Sequence, residues 1–214
     1  MTLLFHGPSG CGKDTQSELL VSKYDFQSIG TGEMFRKMYS DGDISGIKAH
    51  EYWSKGLFVP NDLVYEMLGR WINNYDPEKN WIFISVVREV GQIPLFDSLL
   101  EKKGRSLDKF VHFVLGEEAA IERMSLRRVC VNCDTTYHSK YKKEKVDGYC
   151  DKCGTMLSQR EDDQPEKIVK RLAEYNRTIK PILDEYRNRG ILLEVDANPS
   201  IEAIHTNLVR LLNL

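Results

Sequence analysis

The sequence predicts an α/β fold in which a five-stranded parallel sheet is flanked by helices. Short apolar runs typical of buried strands alternate with amphipathic helical patterns along most of the chain. The first run, Thr2 to His6, leads directly into a glycine-rich loop and then into a helix. Two segments, 30–59 and 127–163, interrupt the alternation, so we expect one core with two insertions.

The loop between Gly7 and Thr15 reads GPSGCGKDT. A strand, a glycine-rich loop and a helix in this order are the context that a phosphate-binding loop requires. The glycines let several backbone N–H groups point at one anion, and the helix N-terminus adds its partial positive charge. Lys13 can reach the outer phosphates of a nucleotide. The loop residues predicted to bind these phosphates are Gly10, Cys11, Gly12, Lys13, Asp14 and Thr15.

The remaining elements follow from apolar runs, helical periodicity and turn residues. Further strands are predicted at 27–29, 81–84, 110–115 and 191–195. Helices are predicted at 16–23, 50–55, about 62–72, 117–128 and 199–212. Another helix is predicted to follow Glu89 and to end at about Lys102. A long helix is predicted after residue 163, and Pro181 is expected to kink or break it.

The composition is that of an ordinary globular protein. Of 214 residues, 41% are hydrophobic, and 30 basic and 32 acidic residues leave a net charge of -2. This balance gives no bulk attraction to nucleic acid or to a membrane surface. No apolar run approaches the ~20 residues of a membrane span, and the N-terminus lacks a basic region typical of a signal peptide. We therefore expect no nucleic-acid or membrane partner and a cytoplasmic location.

Four of the five cysteines form two C-x2-C pairs separated by sixteen residues. This spacing favours a metal site over a disulfide framework. Four thiolates without a histidine predict a closed tetrahedral site for structural zinc, although thiolate ligation also suits iron. The predicted ligands are Cys130, Cys133, Cys150 and Cys153.

Taken in order, the motifs of the chain resemble those of the adenylate kinase family in its long form with a zinc-binding lid. The resemblance covers essentially the whole chain. The glycine-rich loop resembles the family's GxPGxGKGT, and the segment from Gly30 to Arg36 resembles its STGDMxR. The segments from Arg123 to Arg128, from Arg160 to Asp163 and from Arg171 to Tyr175 resemble RxxGRR, RxDD and RLxxY.

The resemblance implies reversible transfer of a phosphoryl group from ATP to AMP, giving two ADP. It implies a P-loop kinase core at 1–29, 60–126 and 164–214, with a helical NMP-binding insertion at 30–59 and a zinc-binding lid at 127–163. Mg²⁺ would accompany ATP, Zn²⁺ would be structural, and the protein would be a monomer.

The resemblance also implies roles for residues outside the loop. ATP would be bound by Arg123, Arg127, Thr136, Tyr137 and Asn198. AMP would be bound by Thr31, Arg36, Leu57, Phe58, Val59, Ser85, Arg88, Gln92, Arg160 and Arg171. The catalytic set would be Lys13, Arg88, Arg127, Arg160 and Arg171. The arginines suit this chemistry because a planar guanidinium can bind phosphoryl oxygens in pairs.

The chain departs from the family pattern at three places. Ile84 to Val87 replace the family's D-G-F-P before Arg88, so the aspartate that helps to hold hydrated magnesium is missing. Asp14 stands where the family has glycine, and Leu126 stands where the family has a lid hinge glycine. A carboxylate after the loop lysine is a hard oxygen ligand, so we hypothesise that Asp14 replaces the lost aspartate.

Two other functions stay open from the sequence alone. The altered residues 84–87 lie by the acceptor base, so a CMP or UMP kinase is one alternative, although Thr31 and Gln92 favour AMP. The missing aspartate also allows a catalytically weak nucleotide-binding protein whose zinc lid serves an interaction. The retained lysine and arginines argue against it, since a binder needs no clamp for a transition state.

Overall fold

The computed structural model describes residues 1–55, 57, 59–133, 135–159 and 163–214. Its eight strands are β1 (Thr2–His6), β2 (Phe26–Gly30), β3 (Asn80–Ile84), β4 (Lys109–Val114), β5 (Arg127–Cys130), β6 (Thr136–His138), β7 (Leu157–Ser158) and β8 (Leu192–Asp196). Five of them form one parallel sheet in the order β2-β3-β1-β4-β8. The predicted five-stranded parallel sheet is thereby confirmed.

Strand β1 lies at the centre of this sheet, between β3 and β4. Its Leu4 pairs in register with Phe83 on one side and Phe110 on the other, and all three are fully buried. The chain passes from β1 to β2 on one side and later to β4 on the other, which makes β1 a topological switch point. Ligands of open α/β sheets bind at the carboxyl edge beside such a point.

Within the described part of the chain, eight α-helices cover the sheet and build the insertions. They are α1 (Lys13–Lys23), α2 (Thr31–Ser40), α3 (Ile44–Trp53), α4 (Asn61–Trp71), α5 (Ile93–Glu101), α6 (Glu117–Ser125), α7 (Pro165–Asn188) and α8 (Ile201–Leu212). Helices α4, α5 and α7 bury one face of the sheet through residues such as Phe96 and Ile182. Helices α1 and α8 bury the other through Leu20 and Leu208. None of the described helices is long and apolar enough to cross a bilayer.

The predicted helix at 117–128 is wrong at its C-terminal end. Helix α6 stops at Ser125, and Arg127 and Arg128 lie on strand β5. Arg127 pairs with His138 on β6, and Val129 pairs with Ser158 on β7, so that β5 is the middle strand of a small antiparallel sheet. The partner strands have only two or three residues, and so short a strand carries little periodicity to detect.

Pro181 was expected to kink or break the long helix. Helix α7 runs without interruption through it, so the break does not occur, while a kink stays a prediction. A proline inside a helix removes one backbone hydrogen bond. Ile179, Ile182 and Tyr186 are buried on both sides of it, and their packing holds the helix together.

The predicted helix at 50–55 is also wrong in its bounds, since α3 spans Ile44–Trp53. The side chain of Asp43 caps its first turn, with Oδ1 accepting from the backbone N–H groups of Ser45 at 2.9 Å and Gly46 at 3.0 Å. Helices α2 and α3 cross closely at Gly46. A Cβ on this residue would lie only 2.6 Å from the carbonyl carbon of Met38, so the crossing requires glycine.

Candidate active site

A cavity of about 580 Å³ lies at the carboxyl edge of the sheet. Its walls come from the glycine-rich loop, the end of β3, helices α2 and α7, and residues of the 127–163 segment, which we call the cysteine segment. Fifteen of the residues predicted to bind nucleotide line this cavity: Gly10, Cys11, Gly12, Lys13, Asp14, Thr15, Thr31, Arg36, Ser85, Arg88, Arg123, Arg127, Thr136, Tyr137 and Arg171. The structure therefore brings most of the predicted site residues together.

The glycine-rich loop has a backbone that only glycine adopts easily. Gly7 has φ 151°, and a Cβ there would lie 2.6 Å from the carbonyl oxygen of Phe113 on β4. The loop can thus turn tightly over the end of the sheet. Within it, Lys13 Nζ donates to the carbonyl oxygens of Gly7 at 2.8 Å and Pro8 at 3.0 Å. The lysine is held at the loop beside the cavity.

Two of the predicted arginines share one buried carboxylate. Asp163 is fully buried, and its two oxygens accept from Arg127 Nε at 2.7 Å and Arg127 Nη2 at 2.5 Å. The same carboxylate accepts from Arg171 Nη1 at 3.3 Å, while Arg171 Nη2 donates to the hydroxyl of Ser9 at 2.8 Å. Asp163 therefore orients two guanidinium groups that come from different elements, β5 and α7.

Arg88 follows the end of β3 and reaches the cavity beside Arg171. The surrounding protein lowers the pKa of its guanidinium and the charge of Arg171 lowers it further, although the side chain remains exposed to the cavity. An arginine so placed stays charged at neutral pH and favours a bound anion. Its backbone N–H donates to Gln92 Oε1 at 2.6 Å, and its Nε donates to the carbonyl oxygen of Ser85 at 3.3 Å. Ser85 has φ 52°, a left-handed conformation at the position where the family has glycine.

Four predicted residues do not line the cavity. Leu57 is exposed, and Val59 packs against the hydrophobic core on the side of the sheet that α4, α5 and α7 cover. Gln92 holds Arg88 and donates to Asn61 Oδ1 at 2.7 Å. The side chain of Asn198 donates to Asp196 Oδ1 at 2.6 Å, and its carbonyl oxygen accepts from Arg123 Nη2 at 3.2 Å. The placement of these four against a nucleotide stays a prediction. Phe58 and Arg160 lie outside the described residues.

Among the cavity-lining residues that were not predicted from the sequence are two with aromatic rings, His138 and Tyr141. The guanidinium of Arg123 lies 5.3 Å from the centroid of the Tyr141 ring, and the His138 ring lies 4.7 Å from the same ring. The signal available in the sequence was the neighbouring pair Tyr137 and His138, which lies between the two cysteine pairs. The Tyr141 ring thus lies against a guanidinium and an imidazole, with the His138 ring tilted by 40° to it.

The four cysteines of the cysteine segment lie together, with all Sγ atoms within 4.8 Å of one another. The hydroxyl of Tyr137 donates to Cys150 Sγ at 3.4 Å and accepts from the backbone N–H of Asp151 at 2.7 Å. The Tyr137 hydroxyl lowers the pKa of the Cys150 thiol, and the Thr155 hydroxyl lowers that of Cys153. Burial raises the pKa of the Cys130 thiol to about 11, so the shifts within the cluster are mixed. Four gathered sulfur atoms fit a tetrahedral metal site.

Comparisons with known proteins agree with this geometry. The family model described as "Adenylate kinase" matches residues 5–191. The chain is 37% identical over 212 residues to the adenylate kinase of Caldanaerobacter subterraneus subsp. tengcongensis, covering 99% of this chain and 96% of the relative. It is 38% identical to that of Hydrogenobaculum sp., covering 99% and 100%. It is 37% identical to that of Archaeoglobus fulgidus, covering 95% and 94%. The chain therefore belongs to the adenylate kinase family.

Proposed function

We propose that the chain transfers the γ-phosphoryl group of ATP to AMP and so produces two ADP. The observation that carries the proposal is the convergence of four cations on one cavity: Lys13, Arg88, Arg127 and Arg171. Phosphoryl transfer requires positioning and positive charge more than covalent chemistry. The cavity supplies both, since a buried carboxylate orients two of the cations and the loop backbone holds a third.

In the proposed reaction, an oxygen of the AMP phosphate attacks the γ-phosphorus of ATP. The bond between that phosphorus and the β–γ bridging oxygen breaks, and its electron pair leaves with ADP. The attacking oxygen is already anionic, so no side chain has to take a proton. The arginines would hold the two nucleotides in line and offset the charge that spreads over the transferring oxygens.

We place ATP between the glycine-rich loop and the cysteine segment, and AMP between α2 and the end of β3. Lys13, Arg123, Thr136 and the ring of Tyr137 would face ATP, since all line that side of the cavity. Thr31, Arg36, Ser85 and Arg88 would face AMP. Leu57, Val59, Gln92 and Asn198 would join when nucleotide binds. The roles of Phe58 and Arg160 rest on the resemblance alone.

We further propose that segments 30–59 and 127–163 close over the nucleotides around the core at 1–29, 60–126 and 164–214. Each insertion contributes cations to the cavity, Arg36 from one and Arg127 from the other. Closure would exclude the water that otherwise competes with AMP for the phosphoryl group. We also propose that the protein is a monomer, as the resemblance to the family implies.

For the four-cysteine site we propose zinc, which would keep the cysteine segment folded as it moves. Metal analysis of the purified protein tests this, and a full equivalent of iron in place of zinc would contradict it. We also propose a cytoplasmic location, since two C-x2-C pairs that bind a metal suit a compartment in which disulfides are rare.

We propose that Asp14 provides the carboxylate toward Mg²⁺ that β3 has lost. Asp14 is exposed within the cavity, and Ile84 at the end of β3 offers no oxygen ligand. Without magnesium, Asp14 would repel the phosphates of ATP, and with magnesium it would attract them. The affinity for ATP should therefore depend on magnesium more steeply in the wild type than in Asp14→Gly.

Titration of ATP with and without magnesium measures this difference. Glu18→Gln is the matched control, because it removes another carboxylate of the cavity rim, one that is already paired with Lys142 at 2.8 Å. Its magnesium dependence should equal that of the wild type. Equal dependence in the wild type and Asp14→Gly would contradict the role of Asp14.

A coupled assay tests the function itself. ADP formation is measured with ATP and, in turn, AMP, CMP, UMP and GMP. We expect AMP to be the preferred acceptor. Turnover with CMP or UMP but not with AMP would indicate another nucleoside monophosphate kinase, and no turnover with any acceptor would refute the proposal.

A further inference from the structure

Two histidines lie buried directly beneath the glycine-rich loop. His6 is the last residue of β1, and it pairs in register with His112 on β4. Only 4% of His6 and 7% of His112 is exposed, although their neighbours in the two strands are mostly apolar. Neither side chain has a part in the chemistry proposed above.

The ring of Tyr175, on helix α7, lies against both histidines. It stacks on His6 with ring centroids 5.7 Å apart and on His112 with centroids 6.5 Å apart. The Tyr175 hydroxyl oxygen is 2.6 Å from His112 Nε2, which is a short hydrogen bond between α7 and the central sheet.

Glu194 on β8 fixes the direction of that hydrogen bond. Its Oε1 lies 3.4 Å from His112 Nδ1, and a carboxylate can only accept, so Nδ1 carries the proton. Burial lowers the pKa of His112 and favours the neutral ring. In a neutral ring protonated at Nδ1, Nε2 is an acceptor, and the Tyr175 hydroxyl must donate to it.

Tyr175 stands four residues after Arg171, so the two side chains lie one helical turn apart on the same side of α7. Arg171 bridges Ser9 in the glycine-rich loop and the buried Asp163. The turn of α7 that carries this arginine is thus tied to β4 by the hydrogen bond of Tyr175.

We propose that Tyr175 and His112 are positioning residues for Arg171, with Glu194 holding His112 in the required tautomer. The inference rests on the proposed phosphoryl transfer, in which Arg171 faces the transferring group. The hydrogen bond fixes the position of α7 relative to the sheet. This position in turn determines the distance between the Arg171 guanidinium and the glycine-rich loop. Displacement of a clamping group by about 1 Å is enough to slow such a reaction severely.

Tyr175→Phe tests the proposal, because it removes the hydroxyl and keeps the ring that packs on the histidines. We expect kcat to fall roughly 10-fold while the KM values for ATP and AMP stay within about twofold. The matched control is Tyr186→Phe, on the same helix, whose buried hydroxyl has no hydrogen-bond partner among the described residues. Its kcat should equal that of the wild type. An unchanged kcat in Tyr175→Phe, or an equal fall in both variants, would overturn the proposal.

A double-mutant cycle asks whether Tyr175 acts through Arg171. In an Arg171→Ala background, Tyr175→Phe should cause no further loss of kcat, whereas independent effects would multiply and contradict the proposal. His112→Leu should reproduce the effect of Tyr175→Phe. His112→Gln, whose side-chain oxygen can still accept from the hydroxyl, should recover part of the rate.

A readout without turnover separates this inference from the proposed function. The NMR signal of the Arg171 Nε–H group, assigned by its loss in Arg171→Lys, should shift in Tyr175→Phe and not in Tyr186→Phe. If the wild type makes no ADP but the signal shifts as expected, the proposed function fails and the positioning of Arg171 stands. If the signal is the same in all three proteins, the positioning role is refuted.

Discussion

The substitution Asp163→Asn removes the charge that two arginines share. The Asp163 side chain is fully buried and accepts three hydrogen bonds, two from Arg127 and one from Arg171. Asparagine has nearly the same shape, but its amide would place a donor against a guanidinium donor. Breaking a buried ion pair by removing one partner costs about 3–5 kcal/mol. Because 34% of the Arg171 side chain is exposed and can turn to water, we expect the lower end of this range.

The loss should appear both in stability and in turnover. Equilibrium unfolding in urea should show a free energy of unfolding lower by about 3 kcal/mol, and kcat should fall on the order of 100-fold because both arginines lose their orientation. The control is Asp97→Asn, whose partially exposed carboxylate pairs with Arg189 at 2.8 Å. That change should cost less than about 1 kcal/mol. If Asp163→Asn matched the control in both measurements, the carboxylate would not organise the site.

Three further outcomes follow from the same structure. Removing the metal with a chelator should lower the midpoint of thermal unfolding and raise the KM for ATP more than that for AMP, and identical midpoints would contradict a structural metal. Burial lowers the pKa of His6 and of His112 in the folded state, so the unfolded chain binds more protons below the ordinary histidine pKa. The free energy of unfolding should therefore fall from pH 7 to pH 5, by at most about 1.4 kcal/mol per pH unit for each histidine, and His6→Leu should flatten the slope. Gly7→Ala should destabilise the protein more than Gly12→Ala. An added Cβ meets the carbonyl oxygen of Phe113 at 2.6 Å in the first case and no heavy atom within 4 Å in the second. Equal losses in the free energy of unfolding, measured in urea, would show that the close contact is relieved at no cost.

The sequence was sufficient to predict the parallel sheet and the glycine-rich loop, since both depend on local patterns. The apolar run from Thr2 to His6 is followed by glycines and a helical pattern. This order is sufficient to predict a buried strand, a tight loop and a helix. The bounds of α3 and α6 were harder to predict from the sequence. The cap at Asp43 competes with the turn residues just before it, and the end of α6 is set by strands β6 and β7, which lie farther along the chain.

The candidate site was predicted in its residue types but not in its supporting contacts. The motifs named the arginines, whereas the sharing of Asp163 by Arg127 and Arg171 depends on how β5 and α7 meet. The same holds for His112, whose sequence context predicts only that it lies on a strand. Its hydrogen bond with Tyr175 forms because α7 packs against β4. Contacts between elements distant in sequence do not follow from local periodicity, so these were found in the structure.

The fate of the γ-phosphorus tests the central claim most directly. ATP labelled at the γ-phosphate is incubated with AMP, magnesium and the protein, and the labelled products are separated. We predict that the label appears in the β-phosphate of ADP, and that Lys13→Met, which removes the loop cation, abolishes the transfer. Release of the label as inorganic phosphate, or its retention in ATP, would contradict the account.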